Sequence, residues 1–135
     1  MNNIKYAVVC VDDDSFILQM LSFQLNKIID PKTTLLECYS DPTTVMENLD
    51  ELLDNSIEIL IIVVDYQMPK LNGAELIRSV KEKYPSIKCV MLSGQANDLI
   101  VKELNAEKHL EQFISKPWDE EKLYQVVRPI LDSVA

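Results

Sequence analysis

Short apolar stretches of strand length alternate along this chain with longer stretches of helical period. Residues 7–11, 33–39, 57–64, 88–92 and 112–115 have the length and the β-branched content of strands. Between and after them, apolar residues recur at steps of three and four: Ile17, Leu21, Leu25 and Ile28; Val45, Leu49 and Leu52; Leu76, Ile77 and Val80; Leu123, Val126 and Ile130. Each such stretch offers one apolar face with which to cover a sheet. The pattern therefore predicts five βα units and an α/β fold. Residues 57–64 are almost wholly apolar rather than alternating, which is what a central parallel strand buried on both faces requires, and which excludes an exposed antiparallel sheet.

Local signals agree with this division. Asp14 or Ser15 can cap the first helix, and Asp41-Pro42 offers a cap followed by proline at the first helical position. The fourth helix is the thinnest, resting on Leu99, Ile100 and Leu104 between Ala96 and His109, with no glycine to mark its end. Pro129 lies inside the last helical pattern, where a missing backbone donor predicts a kink or an early end.

A length of 135 residues with 47% apolar content suits one domain with a real core. No apolar run is long enough to span a bilayer, and the polar start Met1-Asn2-Asn3 is unlike a signal peptide, so a cytoplasmic protein is expected. A formal charge of -9 at pH 7 repels phosphate backbones and anionic membranes, which leaves proteins as the expected partners. Cys10, Cys38 and Cys89 lack metal or redox spacing, and each falls in an apolar strand, so all three are expected to be buried free thiols. His109 has no second soft ligand near it in sequence.

Open parallel sheets gather ligands outside the carboxyl ends of their strands, so chemistry is sought where each strand runs out. There the first strand ends in Asp12-Asp13-Asp14, the third in Asp65, the fourth in Ser93-Gly94 and the fifth in Lys116-Pro117. A nucleotide site would need glycines after the first strand, and acids stand there instead. Carboxylates without histidine or thiolate favour a hard cation, with magnesium expected. Helix capping explains one or two acids of the run but hardly three. Asp65 follows Ile61-Ile62-Val63-Val64, so its charge at the end of a buried strand calls for a cation, and Lys116 is the natural counterion. A carboxylate between a divalent metal and a lysine can attack phosphorus, because the cations neutralise charge growing on the phosphoryl oxygens.

Four motifs, in order, resemble the response-regulator receiver domain of bacterial two-component systems: Val11-Asp12-Asp13, Asp65-Tyr66-Gln67-Met68-Pro69-Lys70-Leu71-Asn72-Gly73, Met91-Leu92-Ser93-Gly94 and Phe113-Ile114-Ser115-Lys116-Pro117. The resemblance implies a doubly wound, flavodoxin-like (βα)5 fold with strand order 2-1-3-4-5. It implies one receiver domain over residues 1–135, without an output domain in this sequence. It also implies roles. Asp65 would be the phosphoacceptor; Asp13, Asp65 and the Gln67 carbonyl would ligate Mg2+, with Asp12 acting largely through water. Ser93 and Lys116 would contact the phosphoryl group, Ser93 and Phe113 would form the switch, Gln67 and Gln95 would modulate phosphoryl loss, and Gly73 would close the loop after Asp65. A cis Lys116-Pro117 bond is expected on the same basis. Serine at 93 and phenylalanine at 113 depart from the family's commoner threonine and tyrosine.

The implied function is a switch that accepts a phosphoryl group from a histidine kinase or phosphotransfer protein and changes affinity for a downstream effector or fused output domain. A homodimer through the fourth helix, fifth strand and fifth helix is a further expectation. On this reading the domain is a signalling module rather than an enzyme. A magnesium-dependent aspartyl phosphatase would need a second acid close after the nucleophile, and Tyr66-Gln67-Met68 supplies none. A phosphorylation-independent interaction module would have no use for the full set Asp12, Asp13, Asp65, Ser93 and Lys116.

Overall fold

The third strand, β3 (Glu58–Asp65), is buried at every position after its first, as its unbroken apolar sequence demands. It lies at the centre of five parallel strands with β1 (Tyr6–Val11), β2 (Thr34–Tyr39), β4 (Lys88–Ser93) and β5 (Gln112–Ser115), in the order β2-β1-β3-β4-β5. The computed structural model describes residues 3–94 and 98–135. Helices α1 (Ser15–Leu25), α2 (Val45–Asp54), α3 (Gly73–Lys83), α4 (Asp98–Ala106) and α5 (Glu120–Asp132) alternate with the strands.

Successive residues of each strand point to opposite faces, and the two faces make two cores. Val8, Cys10, Ile61, Val63, Val90 and Leu92 pack under Leu21 and Leu25 of α1 and Leu123 and Val127 of α5. Val9, Val11, Ile62, Val64, Cys89 and Met91 pack under Leu49 of α2, Leu76, Ile77 and Val80 of α3 and Leu104 of α4. Full burial of side chains of this kind contributes roughly 1.5–3 kcal/mol each. The periodic residues singled out in and just after α1 and in α2, α3 and α5 are those that cover the sheet, with Ile17, Ile28 and Leu52 only half-buried.

Four local expectations need correction. Asp41 caps a short 3-10 turn, Pro42–Thr44, rather than α2 itself, which starts at Val45. The fifth helix does not end early at Pro129: it runs to Asp132, and the Ser133 N–H donates to the Pro129 carbonyl. Gln125, whose carbonyl the proline leaves without its helical donor, is exposed like Pro129, which keeps the cost of the missing bond low. In α4, Leu104 is buried and Ile100 half-buried, but Leu99 is 66% exposed and takes no part in the core. Finally, Cys10 and Cys89 are buried, but Cys38 is exposed, because β2 is an edge strand that α1 only partly covers.

Helices α2 and α4 end without glycine by placing Ser56 (φ 64°) and Lys108 (φ 60°) in the left-handed region. Around them the N–H of Ile57 reaches the Leu52 carbonyl and that of His109 the Leu104 carbonyl, at 3.0 and 2.9 Å. Ser56 and Lys108 donate in turn to Leu53 and Asn105, which completes two Schellman endings.

Candidate functional site at the carboxyl ends of the strands

Strand order reverses direction at β1, which pairs with β2 on one side and β3 on the other. The crevice at such a switch point is where open α/β sheets collect ligands. Asp12 directly follows β1, and its N–H donates to the Tyr39 carbonyl at 3.2 Å, continuing the ladder by one step. Asp65 is the last residue of β3, opposite Leu92 of β4. Lys116 follows β5, anchored by its N–H on the Ser93 carbonyl at 2.9 Å, and the Lys116-Pro117 bond is cis. The parallel register, which brings the carboxyl ends of these strands level, thus carries these side chains to one rim.

Lys116 joins the rim together. Its Nζ lies 2.9 Å from Asp12 Oδ2 and 2.8 Å from Asp65 Oδ1. Asp12 is 0% and Asp65 5% exposed, so the ammonium bridges two carboxylates withdrawn from water. Burial pushes the Asp65 carboxyl above the usual carboxylate range; the hydrogen bond from Lys116 opposes this, and the charge of Asp12 adds to it. Burial works against the charge of Lys116, but its hydrogen bonds to Asp65 and Asp12 outweigh that and raise it above the usual lysine value.

The run of three acids divides its labour. Asp14 caps α1, accepting the Phe16 N–H at 2.9 Å, so capping does account for one of the three. Asp12 Oδ1 accepts the Asp14 N–H at 2.9 Å, which fixes its carboxylate beneath the rim. Asp13 is exposed and turns back over the crevice: one oxygen each of Asp12, Asp13 and Asp65 lie within 4.8 Å of one another. Three carboxylates so close repel unless a cation sits among them, and an all-oxygen set without histidine or thiolate fits a hard ion such as magnesium.

Ser93 is buried at the end of β4, beside Asp65 in the next strand. Gln67 is exposed in the loop after β3. Gln95 lies outside the described residues. Phe113 is half-buried and, with Ser93, Met91, Ile100 and Val101, lines a small pocket between β4, β5 and α4. Tyr66, which sequence reasoning passed over, lines the same pocket; the signal was its place immediately after Asp65. Gly73 is held against the loop by its N–H, which donates to the Tyr66 carbonyl at 2.8 Å. A Cβ at this position would stand 2.3 Å from the Asp65 carbonyl oxygen, so only glycine permits so close a return of α3. Also unnoticed in the sequence were Phe16, Met20 and Phe23, exposed by 77%, 46% and 67% on the outer face of α1.

A family model for the response regulator receiver domain matches residues 8–128. The chain belongs to that family. This receiver domain is 26% identical over 132 residues to response regulator protein TmoT of Ectopseudomonas mendocina, covering 97% of this chain and 55% of that protein. Over 87 residues it is 30% identical to sensor kinase CckA of Brucella abortus (strain 2308), covering 64% of this chain and 9% of the kinase. It thus spans about half the length of TmoT and a small part of CckA. Among solved structures, the signal receiver domain of an HD domain-containing protein from Pseudomonas fluorescens Pf-5 is similar at a TM-score of 0.77, with 25% identity and 96% of each chain covered. A chain of the CheX-CheY-BeF3-Mg+2 complex from Borrelia burgdorferi shares the fold at a TM-score of 0.79 and 23% identity, covering 95% of this chain and 90% of that one. The strand order and five helices are those of the flavodoxin-like receiver fold. Among the described residues, no helix is long and apolar enough to cross a membrane.

Proposed function

We propose that this receiver domain is a magnesium-dependent switch driven by phosphorylation of Asp65. The observation that carries the reading is the bridging of two buried carboxylates by Lys116 beside a third, at the sheet's switch point. An oxygen of Asp65 attacks phosphorus, the bond from phosphorus to the donor's nitrogen or oxygen breaks, and the donor leaves with that electron pair. Lys116, already within contact distance of Asp65, follows the charge onto the phosphoryl oxygens. Ser93 donates its hydroxyl proton to one of those oxygens. A magnesium ion held by Asp12, Asp13, Asp65 and the Gln67 carbonyl would neutralise the remaining charge, as such ions do at phosphoryl-transfer sites. By the family resemblance, Gln67 and Gln95 modulate loss of the phosphoryl group.

The donor on this reading is a histidine kinase or phosphotransfer protein. Its support is the apolar face of Phe16, Met20 and Phe23, which starts two residues after the acidic run, in the first turn of α1, where a protein delivering phosphate to the rim would rest. The recipient of the signal is a downstream effector or a fused output domain, or a second copy meeting through α4, β5 and α5. The domain acts by changing these affinities and turns over no substrate other than its own phosphoryl group.

The test is intact-mass measurement after incubation with acetyl phosphate. The parent should gain one phosphoryl group with magnesium present and none in a chelator, and Asp65→Asn should gain none. An equal mass gain in the variant would remove Asp65 as the acceptor.

A further inference from the structure

Two of the three cysteines stand side by side. Cys10 and Cys38 are register partners on the neighbouring parallel strands β1 and β2. Their side chains point the same way: Cys10 belongs to the core beneath α1, and Cys38 lines a shallow groove with Leu18, Gln19, Ser22 and Phe23 of α1. Adjacent strands run about 4.8 Å apart, inside the Cα separation of roughly 4.4–6.8 Å that a disulfide spans. The two thiols differ in access, since Cys10 is fully buried and Cys38 is exposed. We propose that Cys10 and Cys38 form a redox-active dithiol, in which Cys38 meets a hydroperoxide and Cys10 resolves the product to an intramolecular disulfide.

The asymmetry in access assigns the roles. The Cys38 sulphur attacks the outer peroxide oxygen and the O–O bond breaks. Cys38 becomes a sulfenic acid, and the other oxygen leaves as hydroxide or alkoxide and takes up a proton. The Cys10 sulphur then attacks the sulfenic sulphur, the S–S bond forms as the S–O bond breaks, and water leaves with the Cys10 proton. Two electrons pass from the sulphurs to the peroxide. The neighbouring Cys10 thiol also draws the Cys38 thiol below its ordinary value, against burial and the charge of Glu37, which favours the nucleophilic form at the exposed sulphur. Cys38 leaves the bridge accessible, and exposed disulfides are readily reduced, so the state is reversible.

The bond would be felt at the rim. Cys10 stands two residues before Asp12, and Cys38 one residue before Tyr39, whose carbonyl holds the Asp12 N–H. Cys89 provides an internal control: it is buried on the other side of the sheet, where burial pushes its thiol up to about 12.

The experiment treats the whole chain with a modest excess of hydrogen peroxide, unfolds it in an alkylating agent and maps the peptides. The alkylated thiols should fall from three to one, Cys89, in a monomer lighter by two hydrogens. One peptide should join Cys10 to Cys38, and dithiothreitol should reverse the change. Cys10→Ser should stop at a Cys38 sulfenic acid, one oxygen heavier and trapped by dimedone. Sulfinic Cys38 with Cys10 still alkylated in the parent would overturn the proposal. So would a disulfide joining two chains, or loss of the Cys10 thiol at an undiminished rate in Cys38→Ser; the mapping of the parent stands even if Cys10→Ser does not fold.

Discussion

Asp65 stands where its charge costs the metal-free protein stability. Burial raises its carboxyl above the ordinary range, so the folded chain holds that proton more tightly than the unfolded chain does. Asp65 therefore contributes stability below the unfolded value of about 3.9, and that contribution is lost as pH rises through the higher folded value. At pH 7 without metal the ionised group is a liability, and Asp65→Asn should melt above the parent. Its advantage should shrink as pH falls into the carboxylate range, which thermal scans in a chelator would follow; a variant melting below the parent at pH 7 would contradict this reading. Gly73 is the opposite case, a residue whose value is what it lacks. With a Cβ 2.3 Å from the Asp65 carbonyl oxygen and 2.9 Å from the Tyr66 Cα, Gly73→Ala must push backbone against backbone. Overpacking of this kind costs about 1–3 kcal/mol, which a lowered urea midpoint would report, and the displaced loop should slow labelling of Asp65. A midpoint shift too small to measure would mean that α3 yields freely here.

At the scale of elements, the chain stops two helices with residues poorly suited to the task. Ser56 and Lys108 adopt left-handed backbone that costs an L residue roughly 1–2 kcal/mol and that glycine adopts without strain. Ser56→Gly and Lys108→Gly should each raise stability by about 0.5–1 kcal/mol, after the entropy glycine loses on folding is set against the relief. Lys102→Gly, inside α4 and away from the ending, should instead cost about 1 kcal/mol. Chemical denaturation of the three variants separates the two effects, and a loss of stability in Lys108→Gly would refute the assignment of the α4 ending. These endings were invisible in the sequence because nothing in serine or lysine announces a left-handed residue; tertiary packing imposes it. The strands were easier to read, since burial on both faces leaves an unbroken apolar run in β3 that only a central parallel strand explains. Asp12, Asp65, Ser93 and Lys116 were found for the same reason, as polar residues placed where apolar runs stop. The exposure of Cys38 and the companionship of Tyr66 with Phe113 escaped, because each depends on which strand lies at the edge and on which helix lies above.

For the whole molecule, the question is how an event at the rim reaches a surface that a partner can read. Ser93 is the one phosphoryl-contacting candidate that also lines the pocket with Phe113, Tyr66 and Ile100, so it touches both ends of the path. On the proposed mechanism its hydroxyl is drawn toward the phosphoryl oxygen, the loop after β4 follows, and the space beside Phe113 changes shape. Moving a two-state equilibrium from mostly off to mostly on takes roughly 5 kcal/mol of differential binding. A charge-assisted hydrogen bond from Ser93 supplies about 1.5–3 kcal/mol of that, so its loss should leave the population well short of the active state even with Lys116 and the metal in place. Ser93→Ala should still be labelled, because Asp65, the other acids and Lys116 are untouched, yet its response should fade over α4, β5 and α5. Amide NMR with the phosphoryl mimic beryllofluoride measures both halves at once. Binding should persist while the shifts around Phe113 and Leu123 fall well below the parent's; if the variant binds the mimic and reproduces the parent's full shifts there, the signal leaves the rim by another route, through Lys116 and β5.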